Sequence, residues 1–177
     1  MTDYRTEQDS LGEVAVPAEA LWGAQTQRAI DNFPVSGQPM PADFIKAVVL
    51  VKWSAAQANA SLGLLDAPCR DAIVQACGRL SMGEFADQFP VDRYQTGSGT
   101  STNMNVNEVV AAIARQQGVD VNPNDHVNMS QSSNDVIPTA IHISSVLAVK
   151  NKLLPAISHL RGVIYQREGE LAGQVKT

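Results

Sequence analysis

The segment from residue 143 to residue 164 carries apolar side chains at helical spacing around most of a helix circumference. Its apolar positions are Ile143, Val146, Leu147, Val149, Leu153, Leu154, Ile157, Leu160, Val163 and Ile164. A helix with such a broad apolar surface needs packing partners on more than one side. No later segment of the 177-residue sequence can provide them. We therefore expect either a piece of a longer protein or a protomer whose core is completed by oligomerisation.

Three shorter helices are predicted before this segment from cap residues and apolar periodicity. The first is expected to begin at Asp43 and to end near Leu62. The second follows Asp66, and its apolar stripe contains Cys77, which we interpret as a core residue. The third ends at Gly118 and has the apolar positions Val106, Val109, Val110 and Ile113.

Prolines and glycines indicate where helical structure is interrupted. They are frequent in the first 42 residues, where we expect turns and a small β-hairpin. Pro138 is expected to open the long helical stretch, and Pro155 to bend it or to divide it into two helices. The predicted fold is mainly α. We expect residues 1–137 to form an N-terminal helical domain with a short irregular or hairpin start, and residues 138–177 to begin a long-helix bundle domain.

The composition argues against several classes of protein. The net charge is −5 and there is no run of Lys or Arg, which argues against nucleic-acid binding. No apolar stretch reaches the roughly 20 residues of a membrane span, and the first ten residues are too polar for a signal peptide. Cys69 and Cys77 are too few for a disulfide scaffold or a cysteine zinc site. We expect a cytoplasmic protein without membrane, nucleic acid or metal.

The first of two uncharged polar windows lies at residues 95–107 and leads into the third helix. Nine of its 13 side chains are hydroxyls or amides. Gly97 and Gly99 allow close backbone approach, so that Ser98, Thr100 and Ser101 can direct hydroxyl and N–H groups at one point. A helix N-terminus favours an anion there. The alternative is an ordinary Ser/Thr helix cap behind a glycine turn.

The second window, residues 122–135, also precedes a helix, and 11 of its 14 residues have polar side chains. Ser132, Ser133 and Asn134 repeat the arrangement of the first window, and the alternative is a solvated loop. Two such windows together suit a small carboxylate held by neutral donors. His126 beside Asp125 falls short of a set of metal ligands. His142 and His159 are interpreted as surface or packed residues, and we predict no metal site.

At these windows the sequence resembles a known enzyme family. The segments are QTGSGT at 95–100, NMNVNE at 103–108 and NDHVNMSQSSND at 124–135, with GEVAVP at 12–17 and LWGAQTQR at 21–28. They closely resemble class II fumarate hydratases of the fumarase/aspartase superfamily. The resemblance covers essentially the whole chain but only the N-terminal part of a family member.

The resemblance implies reversible anti addition of water to fumarate, giving L-malate through an aci-carboxylate intermediate. It implies a homotetrameric enzyme of the tricarboxylic acid cycle that needs no cofactor. Each active site of the family draws on three subunits, so the two windows need not serve the same site. The family's base and active-site histidine would lie beyond Thr177. The resemblance therefore places no catalytic residue in this chain, which we predict to be inactive alone.

The family's motifs also imply roles for individual residues of this sequence. Those that match its substrate-binding motifs are Ser98, Thr100, Ser132, Ser133 and Asn134. Asn105 and Asn107 match family positions that we interpret as mainly structural.

A second carboxylate site of the family would correspond to Asn122, Asn124 and Asp125. Many members have histidine where this sequence has Asn122. The preceding connection, residues 118–121, is also shorter than theirs and lacks a basic residue. We expect no binding at this second site.

Two alternatives remain open. Aspartate ammonia-lyases share much of both windows, but their motif has a small apolar residue where this sequence has Ser98. A non-catalytic helical module for oligomerisation or carboxylate binding is the other alternative. The long apolar helix argues against a finished module, because such a module should cover its own apolar faces.

Overall fold

A β-hairpin and a set of α-helices make up the computed structural model, which describes residues 3–175. The strands are β1 (Tyr4–Asp9) and β2 (Gly12–Pro17). The helices are α1 (Ala24–Asn32), α2 (Ala42–Ser61), α3 (Ala67–Ser81), α4 (Thr100–Arg115), α5 (Ser133–Ala148) and α6 (Leu154–Glu170). Short 3₁₀ and π segments lie at Ala86–Gln88, Pro123–Val127 and Val149–Leu153. The mainly α fold with a hairpin start is confirmed.

The core lies between α2, α3 and α4, with the first half of α5 against it. Its fully buried side chains include Val48, Ile73, Val106, Val110 and Ile113. Cys77 is fully buried and Cys69 is nearly so, which confirms the interpretation of Cys77 as a core residue. Burial raises the pKa of Cys69 to about 11 and that of Cys77 to about 12.

The hairpin is antiparallel and pairs Tyr4 with Pro17 through to Asp9 with Gly12. Arg28 of α1 holds it through two hydrogen bonds to the Asp9 carboxylate, at 2.8 and 3.0 Å. The guanidinium of Arg5 donates to the backbone carbonyls of Pro17, at the end of β2, and of Ala20 and Trp22, which follow it. These contacts pack the hairpin against α1.

Helix α1 lies in the first 42 residues, where the sequence predicts only turns and a hairpin. Its N-cap residue is Gly23, which has no side chain to cap the helix. The buried carboxylate of Glu108 in α4 accepts from the N–H groups of Gly23 (2.9 Å), Gln25 (3.1 Å) and Thr26 (3.1 Å). The cap of α1 therefore comes from a residue more than 80 positions away, and no local pattern reveals it.

Two predicted helix starts are wrong, and each has a local cause. Helix α2 begins after Pro41, so Asp43 lies within the first turn and makes no cap hydrogen bond. Helix α5 begins five residues before Pro138, because the Ser132 hydroxyl caps it by accepting from the N–H of Asn134. Pro138 therefore lies inside α5. The Asp66 cap of α3 is confirmed, since the Asp66 carboxylate accepts from the N–H of Cys69 at 2.8 Å.

Pro155 lies in the first turn of α6, directly after the π segment Val149–Leu153 that separates α5 from α6. The predicted division of the long helical stretch is thus confirmed. None of the residues of α6 is buried against another described element. That the long helical stretch needs further packing partners stays a prediction. The division into domains between residues 137 and 138 also stays a prediction, and this boundary falls within α5.

No helix in residues 3–175 is long and apolar enough to cross a membrane.

Asp92 fixes the segment that leads into the first polar window. Its carboxylate accepts from the N–H groups of Ser36 (2.6 Å), Gly37 (2.8 Å) and Tyr94 (2.9 Å) and from the Ser36 hydroxyl (2.8 Å). Burial alone would raise the pKa of Asp92, but these hydrogen bonds outweigh it and lower the pKa to about 2. Asp92 therefore ties residues 36 and 37 to the start of the window.

Replacing Glu108 with glutamine should destabilise the protein, because the amide offers one acceptor and turns its N–H₂ towards the N–H groups of α1. We expect the free energy of unfolding to fall by about 2 kcal/mol, measured by urea denaturation. The control E84Q removes a carboxylate from an exposed ion pair with Arg79 and should change stability by less than about 0.5 kcal/mol. Equal effects of the two substitutions would contradict the proposed cap.

The low pKa of Asp92 predicts a specific loss of stability in acid. Above its ordinary value of 3.8 the carboxylate is ionised in the folded and unfolded chains, and its stabilising contribution is fully present. As the pH falls towards 2, the unfolded chain binds the proton first and the contribution is lost. Urea denaturation at a series of pH values should show that the free energy of unfolding falls more steeply with decreasing pH for the wild type than for D92N. D87N, at an exposed position, should follow the wild type, and parallel curves for D92N and wild type would disprove this origin.

Candidate functional site

The two polar windows lie side by side, at the N-termini of α4 and α5. Gly99, the N-cap residue of α4, has φ +68°, a conformation that favours glycine. A Cβ at this position would lie 2.9 Å from Cγ1 of Ile137 in α5. The backbone between Ser98 and Thr100 therefore packs directly on α5. One chain thus brings together the two windows, which the sequence could not place relative to each other.

In the first window, the serine and threonine side chains are not used to cap α4. The Oγ of Ser98 and the Oγ1 of Thr100 lie 2.9 Å apart, and both side chains are exposed. Gln95 supplies the cap instead, because its Oε1 accepts from the N–H and the hydroxyl of Thr102, both at 2.9 Å. Within residues 3–175, no group accepts from the N–H of Thr100 or Ser101. The window therefore has two exposed hydroxyls, one of which donates to the other, and two N–H groups without an acceptor in this part of the chain.

In the second window, the three predicted residues differ in how they are used. Ser132 caps α5, because its Oγ accepts from the N–H of Asn134. The Oγ of Ser133 accepts a hydrogen bond from Nδ2 of Asn103 at 3.1 Å, so its own O–H is left to donate. Asn134 is exposed, and its side chain has no partner among the described residues. Ser133 and Asn134 are thus available as donors beside the first window.

Lys52 of α2 contacts the second window from inside the protein, and no sequence pattern described above predicts this. Its side chain is fully buried, and its Nζ lies 2.9 Å from Oδ1 of Asn128 and 3.0 Å from Oε1 of Gln131. Burial lowers the pKa of Lys52 to about 7. The available signal was a lysine on the apolar helix face that contains Val48, Val49 and Ala56.

The asparagines that match family positions in α4 are buried. Nδ2 of Asn105 donates to the carbonyl of Gln88 at 3.0 Å, and Nδ2 of Asn107 faces the sulfur of Met104 at 3.4 Å. Both contacts lie inside the protein, away from the exposed hydroxyls. They agree with a mainly structural interpretation of Asn105 and Asn107.

The predicted second carboxylate residues form a turn that uses its own polar groups. Oδ1 of Asn122 accepts from the N–H groups of Asn124 (2.8 Å) and Asp125 (3.0 Å). The N–H of Asn122 donates to Nδ1 of His126 at 3.0 Å. Arg115 shares a cavity of about 640 Å³ with Asn122 and Asn124, but its Nε donates to the carbonyl of Val121. The absence of binding at this place stays a prediction.

The described histidines and acids do not assemble a metal centre. No group of three or more His, Cys, Asp or Glu side chains with suitable geometry occurs in residues 3–175. His142 and His159 are exposed on α5 and α6. A further cavity of about 480 Å³ is lined by residues such as Phe44, Gly99 and Ile141, but not by the hydroxyl-bearing Ser98 or Thr100. The hydroxyls of Ser98 and Thr100 lie on the exposed surface instead, as does the carboxylate of Asp135 in the first turn of α5.

Comparison with known proteins supports the family resemblance. Residues 12–176 match a family model described as lyase. The chain is 58% identical to fumarate hydratase class II 2 of Pseudomonas aeruginosa, over 100% of this chain and 39% of that protein. It is 55% identical to a fumarate hydratase class II of Xylella fastidiosa, over 98% of this chain and 37% of that protein.

Solved structures agree with these relatives. The class II fumarase of Schistosoma mansoni matches with a TM-score of 0.91 and 41% identity, over 95% of this chain and 37% of that chain. A fumarate lyase:delta crystallin of Brucella melitensis matches with a TM-score of 0.91 and 40% identity, over 97% of this chain and 42% of that chain. The chain thus spans about two-fifths of the length of the proteins it matches. It belongs to the lyase family of the class II fumarate hydratases and corresponds to the N-terminal portion of its members.

Proposed function

We propose that the full-length protein containing this chain is a fumarate hydratase, which interconverts fumarate and L-malate by anti addition of water. The observation that carries this proposal is the junction of two helix N-termini that present several neutral donors, with the exposed carboxylate of Asp135 in the first turn of α5. Two hydroxyls and two N–H groups come from the start of α4, and Ser133 and Asn134 come from the start of α5. The names of the similar proteins identify a small dicarboxylate as the matching substrate.

The chemistry of these donors fits a dianion. Each helix N-terminus carries roughly half a positive charge, so two of them offset part of a dicarboxylate's charge. Loss of a proton from the carbon next to a carboxylate produces an aci-carboxylate, which has a further negative charge on its oxygens. Fixed hydroxyl and N–H donors stabilise such a charge as an oxyanion hole does. Ser98, Thr100, Ser132, Ser133 and Asn134 are the proposed substrate-binding donors. Ser132 also caps α5, but its Oγ accepts in that bond, which leaves its O–H to donate.

The remaining parts of the enzyme are proposed to lie outside these residues. The residues that move the proton would come from the rest of the full-length chain, and the active site would be completed in a homotetramer. The exposed apolar side chains along α6, among them Leu154, Ile157 and Leu160, support further helix packing there. We propose a cytoplasmic enzyme of the tricarboxylic acid cycle with no nucleic-acid partner.

An ammonia-lyase of the same superfamily is the competing proposal. The Pseudomonas aeruginosa, Xylella fastidiosa and Schistosoma mansoni proteins reported above carry hydratase or fumarase names. In addition, Ser98 is present where ammonia-lyases are expected to have an apolar residue. Both observations support water rather than ammonia as the group that adds to the double bond.

Assay of the full-length protein by the loss of fumarate absorbance tests the proposal directly. With water alone we expect conversion to L-malate, and with added ammonia no L-aspartate. Formation of L-aspartate, or no reaction with fumarate, would overturn the assignment.

Replacing Ser98 with alanine should lower kcat/KM by about 10²-fold, because one oxyanion donor is lost. T100A should act in the same direction. The control S54A removes an exposed hydroxyl of α2 that bonds only to the carbonyl of Leu50, and it should leave kcat/KM unchanged. An S98A enzyme with wild-type kcat/KM would exclude Ser98 from the site.

The isolated 177-residue chain should have no hydratase activity, since the proposed proton-transfer residues are outside it. The measurement is the same absorbance assay at high chain concentration, with the full-length protein as positive control. Turnover by the isolated chain at the full-length rate would show that these residues are present within it.

A further inference from the structure

Lys52 occupies a place that packing alone does not explain. It is fully buried on a helix face whose neighbours are apolar, and no carboxylate among the described residues forms an ion pair with it. Burying an amine without a charged partner has an energetic cost. An apolar side chain at position 52, with apolar partners in place of Asn128 and Gln131, would avoid that cost, because a buried polar group and its partners can often be replaced together without loss of stability. A lysine at this position therefore points to a role beyond stability.

The partners of Lys52 are two side-chain amides whose orientation is fixed by their other contacts. Nε2 of Gln131 donates to the carbonyls of Val127 (2.9 Å) and Met129 (3.1 Å), so its Oε1 must face Lys52. Nδ2 of Asn128 donates to the carbonyl of Gln131 at 3.3 Å, so its Oδ1 also faces Lys52. The direction of each hydrogen bond in this group is thus determined.

The same Oδ1 of Asn128 accepts from Nδ2 of Asn103 at 3.2 Å, and that Nδ2 also contacts Oγ of Ser133 at 3.1 Å. Lys52 is therefore connected to the Ser133 hydroxyl through two asparagine side chains. Because Oγ of Ser133 accepts from Asn103, its hydrogen is directed elsewhere and can be donated to a ligand. The chain of contacts begins in α2 and ends at the candidate site.

The loop between the π segment and α5 also needs to be held in place. Ser130 has φ +59°, in the left-handed region that is unfavourable for a residue other than glycine. Such a conformation persists only where surrounding contacts impose it. Lys52 contacts the loop on both sides of Ser130, and Asn59 of α2 donates to the carbonyl of Met129 at 3.0 Å. Side chains of α2 therefore bond to the loop directly before Ser132 and Ser133.

We propose that Lys52 is a positioning residue that holds the Asn128–Gln131 loop and, through Asn128 and Asn103, orients the Ser133 hydroxyl towards a substrate carboxylate. This inference rests on the proposed function. Both a charged ammonium and a neutral amine have enough N–H groups to reach Asn128 and Gln131. The positioning role therefore holds in either protonation state of Lys52.

The test is steady-state kinetics of the full-length K52M protein with fumarate and with L-malate. Of the two carboxylates of the substrate, we assign to Ser133 the one that does not become the aci-carboxylate. Its contact is then the same in the bound substrate and in the transition state, and loss of such binding raises KM with little change in kcat. We expect KM to rise about tenfold, since a displaced contact group is costly, and kcat to stay within about threefold. The control K46M changes an exposed lysine of the same helix and should leave both constants unchanged. A wild-type KM in folded K52M would overturn the role.

A double-mutant cycle with S133A distinguishes positioning from a general structural effect. If Lys52 acts through Ser133, K52M should raise KM by no more than about twofold in the S133A background. If the KM increases caused by K52M and by S133A multiply in the double variant, the two residues act independently and the proposal is overturned. Where K52M gives no cooperative melt, the same cycle with K52Q decides. Glutamine is polar, but its side chain is one bond shorter and brings a carbonyl oxygen towards the amide oxygens of Asn128 and Gln131, so the contacts of Lys52 are lost. An inactive wild-type protein would instead overturn the proposed function.

Discussion

Helix α4 determines where the other parts of the protein lie, because three of its buried polar side chains bond to segments distant in sequence. Glu108 holds the N-terminus of α1, Asn105 holds the carbonyl of Gln88, and Asn103 holds the loop and first turn of α5. A buried polar group that loses its partner costs about 1–3 kcal/mol. Three such groups along one helix therefore restrict the hairpin and α1, the 3₁₀ segment and α5 to one arrangement. The apolar core supplies most of the burial, while these contacts supply the specificity.

The sequence alone was sufficient for elements whose signals are local. Asp66 before Pro68 predicts the start of α3 correctly, and the frequent turn residues predict the hairpin. Helix α1 could not be predicted in this way, since the carboxylate that caps it is distant in sequence. The start of α5 was misplaced because Pro138 is tolerated within the helix, whereas the cap hydrogen bond of Ser132 sets the true boundary.

In the candidate site, too, some features have a local signal in the sequence and others depend on residues that are distant in sequence. Its residue types and their place before two helices were predictable from composition and periodicity. That the two windows lie side by side was not predictable, because it depends on the tertiary contact between Gly99 and Ile137. The support by Lys52 was also not predictable, since a lysine in a helix is usually exposed. Only the burial of its side chain reveals that it belongs to the polar network.

The two buried thiols have a practical consequence for following the dynamics of this protein. Cys69 and Cys77 are both buried in the core between α2, α3 and α4, and their raised pKa values leave little thiolate at neutral pH. A maleimide or disulfide reagent can then modify them only when the core opens. The rate of thiol labelling would thus report how often the core opens locally, without a probe on the native surface.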